Sequence, residues 1–286
     1  MSRQWQTLEH PAPLTGLYAR AALKRKVSGE QLPERALRCW LRPDPEKLAA
    51  YRQACGFGEG SLLPATYPHV LAFAMQMQLL TAKDFPFPLL GLVHLRNVIR
   101  IQRPLGGISG VQVSVHVAHL APHEKGTTFD LVTEVQDPLG PLWEETSTLL
   151  CRDVHIAGQP ALANPPVTGE LPLTEVARWT AEADTGRRYA RVSGDYNPIH
   201  LSATSARMFG FPCAIAHGMW TAARALAALR ESLPVANVEI AVQFDKPVRL
   251  PCELLLNASA AGASGRFAVE GDGGLTHLVG QWRPLH

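Results

Sequence analysis

Residues 212–233 read PCAIAHGMWTAARALAALRESL, and residues 64–82 read PATYPHVLAFAMQMQLLTA. In each stretch a proline stands five residues before a histidine (His217 and His69), and the histidine opens a run dominated by Ala, Leu, Met and Gln. These residues are good helix formers, because they lose little side-chain freedom in a helix. Two buried helices are therefore predicted. The segments after the two runs are also alike. VHLRNVIRIQ leads to Arg103-Pro104, and ANVEIAVQFD leads to Lys246-Pro247. Both alternate apolar and polar residues near their ends, as half-buried strands do. Residues 111–117 (VQVSVHV), 127–135 and 143–151 then read as strands in the first half, and 254–260, 266–270 and 276–282 in the second. Turn-forming breaks at 138–140, 262–265 and 271–274 separate them, as in hairpins.

The pattern of one helix and then antiparallel strands thus occurs twice. A helix packed on one face of an antiparallel sheet is an α+β layer. Two copies in one chain bury a pseudo-two-fold interface, as two subunits of a homodimer would. Between the copies, residues 157–169 (AGQPALANPPVTG) combine glycine, asparagine and three prolines. Such a segment sustains neither helix nor central strand and reads as a linker. The predicted units are residues 1–156 and 170–286.

The chain has 286 residues, 46% of them apolar and 18% charged, which is enough core for two globular units. Lys and Arg number 27 against 25 Asp and Glu. That balance argues against a nucleic-acid partner, since phosphate backbones call for a clear basic excess. The opening MSRQWQTLEHPAP lacks the apolar core of a secretory signal. The most apolar stretch, residues 70–80, is too short for a membrane span, which takes about 20 residues. Five scattered cysteines (Cys39, Cys55, Cys151, Cys213 and Cys252) show neither metal-ligand nor redox spacing. A reduced, cytoplasmic protein is the expectation.

Only the second copy carries residues 193–200, SGDYNPIH. Gly194-Asp195 and Asn197-Pro198 break a helix begun by residues 187–192 and make a turn. The turn can direct Asp195 and His200 to one side of a pocket, where a carboxylate and an imidazole together can hold a water and move its proton. Asn197 can brace the turn through the backbone. By residue type alone the same string is also a tight surface turn with Asp195 as a cap, and His217 is also an ordinary core histidine.

The run Ser193-Gly-Asp-Tyr-Asn-Pro-Ile-His200, with Ala216-His-Gly-Met219 after it, resembles the signature of the MaoC-like, (R)-specific enoyl-CoA hydratase family, also called hydratase 2. Gly194, Asp195, Asn197, Pro198 and His200 match without departure, over roughly 30 residues at several fixed spacings. The first half is similar to the degenerate unit of double hot-dog members, through residues 91–97 (GLVHLRN) and Arg103-Pro104. The resemblance implies a double hot-dog fold and the reversible hydration of a trans-2-enoyl thioester to the (R)-3-hydroxyacyl thioester. Asp195 and His200 match the pair that activates water. Gly218 matches the glycine whose N–H polarises the thioester carbonyl, with Ser193, Asn197 and His217 in support. No cofactor or metal is implied, coenzyme A or an acyl carrier being part of the substrate. Arg187, Arg188, Arg207 and Lys246 are the candidates for coenzyme A phosphates. Val70 stands where Gly218 does, and residues 30–63 contain no Asp-x-Asn-Pro-x-His. The first unit is therefore expected to lack a site of its own and to accommodate the acyl chain. A non-catalytic acyl-thioester binder and a hot-dog thioesterase are the alternatives. Beyond the intrachain pseudo-dimer, a further homodimer is compatible with the sequence but not required by it.

Overall fold

The computed structural model describes residues 3–152, 154–158 and 171–285. Residues 159–169 of the expected linker lie outside the described residues. The first half contains β1 (Gln4–Leu8), α1 (Leu14–Leu23), β2 (Arg35–Leu41), α2 (Pro45–Cys55), α3 (Tyr67–Leu80), β3 (Val93–Ile101), β4 (Val111–His123), β5 (Gly126–Asp137) and β6 (Gly140–Cys151). The second half contains β7 (Thr174–Ala181), α4 (Thr185–Ser193), a 3-10 turn (Pro198–His200), α5 (Ala203–Arg207), α6 (Gly218–Ala228), β8 (Val238–Phe244), β9 (Cys252–Ala258), β10 (Gly265–Glu270) and β11 (Thr276–Pro284).

All eleven strands form one sheet in the order β1-β2-β4-β5-β6-β3-β8-β11-β10-β9-β7. The order from β2 to β3 in the first half, β2-β4-β5-β6-β3, is repeated in the second as β7-β9-β10-β11-β8. The duplication read in the sequence is thus a duplication of topology. The two copies join where β3 and β8 pair antiparallel, with Arg96 opposite Gln243 and Ile101 opposite Val238. β1 is an addition at the outer edge, parallel to β2. This is the expected double hot-dog.

The long helices are the cores of the two units. α3 buries Tyr67, Ala72, Met75, Gln76, Met77, Leu79 and Leu80, which point in nearly all directions around its axis. α6 likewise buries eight of its eleven residues. A helix that is apolar all round is a buried one, and the curled sheet supplies the cover. Indole hydrogen bonds tie loops to this core. Trp143 Nε1 donates to Ala65 O at 2.8 Å, just ahead of α3. Trp220 Nε1 donates to Ala54 O at 2.9 Å, which fixes α6 of the second unit against α2 of the first. Among the described residues no helix is long and apolar enough to cross a membrane.

Candidate active site

The site is built where α4 stops. Gly194 ends α4 in the left-handed conformation, with φ at 81°, and Asp195 comes next on the turn. Ser193 Oγ donates to Tyr189 O at 2.8 Å and accepts from Asp195 N at 3.1 Å. Asp195 Oδ1 accepts from Asn197 N at 3.1 Å. Asn197 Oδ1 in turn accepts from Ile199 N at 3.4 Å and caps the 3-10 turn that carries His200. Ser193 and Asn197 therefore act on the backbone of the turn.

The 3-10 turn is locked from two sides. Ile215 N donates to Ile199 O at 3.1 Å, while Ala216 N donates to Val248 O at 2.9 Å. This aligns the segment leading into α6 beside residues 198–200. On the other side, Gly186 of α4 lies so close that a Cβ built there would meet His200 O at 2.0 Å. Only glycine admits that approach.

His200 is 8% exposed and His217, the N-cap of α6, is 3% exposed. Their rings stack with centroids 3.6 Å apart. His200 Nδ1 lies 2.8 Å from Ile215 O. A carbonyl can only accept, so Nδ1 carries the hydrogen and Nε2 keeps a lone pair. His217 Nε2 donates to Asp195 O at 2.9 Å by the same logic and lies 3.7 Å from Asp195 Oδ2. Burial pulls the His200 pKa down to about 3, with His217 adding to the drop and Asp195 opposing it. Burial pulls His217 down to about 4. Both rings are neutral at pH 7. One ligand atom from each of Asp195, His200 and His217 falls within 4.8 Å of the others, close enough to hold a metal ion. The lone pairs open to such an ion are His200 Nε2 and His217 Nδ1, because the other two ring nitrogens are spent on carbonyls.

Gly218 is the first residue of α6, so its N–H has no acceptor within the helix. The helix dipole adds partial positive charge there. A Cβ at Gly218 would press on the Phe244 ring at 3.0 Å, so the glycine keeps both the N–H and the ring in place.

Asp195, His200 and Gly218 line one cavity of about 400 Å³. Its apolar wall comes from both units, the first contributing Phe73, Met77, Leu80, Leu92, Leu131 and Leu149 among others. Arg152 and Lys246 also line it and are shared with a wider, open groove of about 1620 Å³ over the outer face of the sheet. That groove contains none of Asp195, His200 and Gly218 in its lining. Of the four basic residues singled out in the sequence, only Lys246 lines the cavity. The other three are held elsewhere. Arg187 donates to Leu201 O, Arg188 pairs with Asp184, and Arg207 donates to Pro212 O.

Three polar cavity residues from the first unit, Tyr18, His69 and His94, were not site candidates in the sequence. Tyr18 of α1 donates its hydroxyl to Gly194 O at 2.9 Å, accepts from Tyr196 N at 2.6 Å and lies 3.5 Å from Asp195 Oδ1. Burial and the neighbouring Asp195 raise its pKa, so the hydroxyl stays protonated. His69 and His94 also face the cavity. No local motif marks Tyr18. Its partners lie about 180 residues away in the chain, so pattern reading finds no link between them.

Comparison with known proteins fits this geometry. A model of the MaoC-like domain matches residues 163–280. A 3-hydroxyacyl-thioester dehydratase X of Mycobacterium tuberculosis is 38% identical over 247 residues, covering 86% of this chain and 84% of the relative. The chain belongs to the MaoC-like dehydratase family. A crystal structure of HtdX from M. tuberculosis superposes on this MaoC-like protein with a TM-score of 0.76 at 34% identity, covering 88% of this chain and all of the other. The M. tuberculosis protein Rv0216, which has a double hot-dog fold, superposes at 0.56 with 14% identity and 93% coverage of this chain, a likeness of fold alone.

Proposed function

We propose that this MaoC-like protein interconverts trans-2-enoyl thioesters and (R)-3-hydroxyacyl thioesters, with Asp195 and His200 acting on water and Gly218 on the thioester oxygen. The observation that carries this reading is the convergence of three groups on one cavity: the Asp195 carboxylate, the bare Nε2 of His200 and the unpaired N–H of Gly218.

In the hydration direction one water sits between the carboxylate and Nε2. Asp195 accepts one of its O–H groups and orients it. His200 Nε2 takes the other proton as the oxygen bonds to C3. The C2–C3 π pair moves toward the carbonyl, and negative charge builds on the thioester oxygen. The Gly218 N–H, at a helix N-terminus in a water-poor cavity, stabilises that charge. The imidazolium then returns its proton to C2 on the same face, so one H2O is added and both side chains are restored. Dehydration is the reverse. A conjugated thioester is already an electrophile, so these steps need no metal or cofactor.

The acyl chain lies along the apolar wall of the first unit. Arg152 and Lys246, where the cavity meets the outer groove, face the anionic carrier. The first unit (1–156) accommodates substrate and the second (170–286) carries the chemistry.

Crotonyl-CoA is the test substrate. Loss of enoyl absorbance without release of free thiol supports the hydratase. Thiol release would instead indicate a thioesterase, and no reaction at any chain length would leave a binding protein. In the dehydration direction only the (R)-3-hydroxy epimer should be consumed. Asp195→Asn and His200→Ala should each lower kcat by about 10² to 10⁴ while circular dichroism shows the fold retained. A variant at near wild-type rate removes that residue from the mechanism.

A further inference from the structure

The wall of the acyl cavity is not uniformly apolar. On α3, His69 in the first turn and Gln76 stand seven residues apart, which is two helical turns on one face. Both reach back to the same atom of a buried carboxylate. His69 Nδ1 lies 2.8 Å from Glu145 Oε2, and Gln76 Nε2 lies 3.4 Å from it. Glu145 is fully buried, and Asn97 Nδ2 donates to its other oxygen at 2.7 Å. Gln76 Nε2 also donates to Thr133 Oγ1 at 3.0 Å, and Asn97 to Ser147 Oγ at 3.1 Å.

With their inner atoms fixed on one oxygen, the outer atoms of this pair are left for other partners. His69 Nε2 and Gln76 Oε1 have no hydrogen-bond partner among the described residues, and both side chains line the cavity that holds Asp195. His94 lines the same cavity with its Nε2 buried and unpaired. Burial alone would lower the His69 pKa, but the charge and hydrogen bond of Glu145, with Asp195 behind them, raise it instead. Nδ1 donates to the carboxylate, so Nε2 keeps a lone pair in the neutral ring and carries a hydrogen only when the ring is protonated.

A buried carboxylate with three side-chain donors is a costly thing to place beside an apolar tunnel. Wholly alkyl substrates would leave the polar atoms facing them unpaired. Resting on the hydratase reading, we propose that His69 and Gln76 form a polar station for a hydroxyl group on the acyl chain beyond C3. The substrate class is therefore hydroxylated enoyl thioesters. The hydroxyl hydrogen donates to Gln76 Oε1 or to the Nε2 lone pair of neutral His69, and when the ring is protonated the hydroxyl oxygen accepts from Nε2–H. The first unit has lost the glycine and the Asp-x-Asn-Pro-x-His string. It keeps the histidine at the head of its long helix, turned to recognition.

The test separates binding from turnover. Octanoyl-CoA and its 5-, 6-, 7- and 8-hydroxy derivatives are titrated into the full-length protein by calorimetry. The trans-2-octenoyl counterparts are assayed for hydration. At one hydroxyl position, affinity and kcat/KM should exceed those of the plain chain by roughly tenfold. Gln76→Leu and His69→Gln should each bring that ratio down to one or below, each variant being compared with its own binding and rate on the plain octanoyl and octenoyl chains. Wild-type protein that binds the plain chain better than every hydroxylated one overturns the station, as does a ratio unchanged in both variants. Failure to hydrate enoyl-CoA of any chain length would sink the hydratase reading, and the binding ratio would still decide the station.

Discussion

Tyr18 reaches the turn from a helix at the far end of the chain, and one hydroxyl meets two backbone groups there while lying 3.5 Å from Asp195 Oδ1. A phenol that both donates and accepts holds the turn against the pull of substrate binding. Tyr18→Phe keeps the ring and removes both bonds. It should lower kcat about tenfold and leave KM nearly unchanged, since it acts through Asp195 rather than on substrate. A shift of KM with constant kcat, read from initial rates on crotonyl-CoA, would place Tyr18 in substrate binding instead. Asp195, Asn197, His200 and Gly218 could be read in the sequence because they fall within 24 residues and each has a distinct chemical reason for its place. Tyr18 could not, because a single tyrosine in LTGLYARAAL has no local signal. Nor does sequence show where a long side chain folds back. Arg187, Arg188 and Arg207 sit beside the signature in the chain, yet each is bonded to its own neighbourhood and stays outside the cavity.

The two long helices and the strands after them were legible from composition and alternation, although β4 runs six residues beyond the expected 111–117 and α6 spans only Gly218–Ala228 of the run read at 212–233. The weaker elements obey different physics. β7 exposes most of its length and carries a register shift between Glu175 and Ala177, so the two-residue period is lost. β1 and β2 pair in parallel at the edge of the sheet, where pairing depends on the partner more than on pattern. α2 does carry a readable start, with Asp44 capping Glu46 and Lys47 and Pro45 at the first position. Its hydrophobic periodicity is weak, because it buries only Tyr51 and Cys55. Two predictions belong at this scale. Gly186→Ala sets a methyl group against the carbonyl of His200, so α4 and the 3-10 turn must part. Activity should fall by about 10² or more, because misplacing a reacting group by 1 Å is enough for that, while circular dichroism stays near native. The proposed path of the acyl chain runs past α3, where Met77 and Leu80 lie on the cavity wall. Met77→Trp should cut kcat/KM on octenoyl-CoA at least tenfold and spare crotonyl-CoA. An equal loss on both would mean that the acyl chain runs elsewhere.

At the scale of the whole molecule, buried histidines, His94, His200 and His217 in the cavity and His116 on β4, link the fold to pH through their protonation. Burial lowers His94, His116 and His217 to about 4 and His200 to about 3, from an ordinary value near 6.5. The unfolded chain binds protons at these four groups before the folded chain does. The stability they contribute is thus complete above about pH 6.5 and is lost as pH falls from there toward 4 and 3. His69 works in the opposite sense. Its raised pKa adds stability that is full below about 6.5 and fades as pH rises through the folded value. The Glu145 pKa is lowered despite burial, because His69 and Asn97 hold its charge, so its contribution is lost only below the ordinary carboxylate range. Between pH 7 and pH 5 four groups therefore act against folding and one acts for it. The melting temperature should fall over that interval by several degrees, since each kcal/mol lost costs about 2–4 °C in a chain of this size. Catalysis should respond differently over part of the same range. His200 is already neutral, so kcat/KM should stay flat from pH 8 to pH 6 while scanning calorimetry begins to show the loss of stability. If kcat/KM instead falls through a single ionisation near 6.5, His200 is titrating as an exposed imidazole, and its place as a buried, carbonyl-anchored base is wrong.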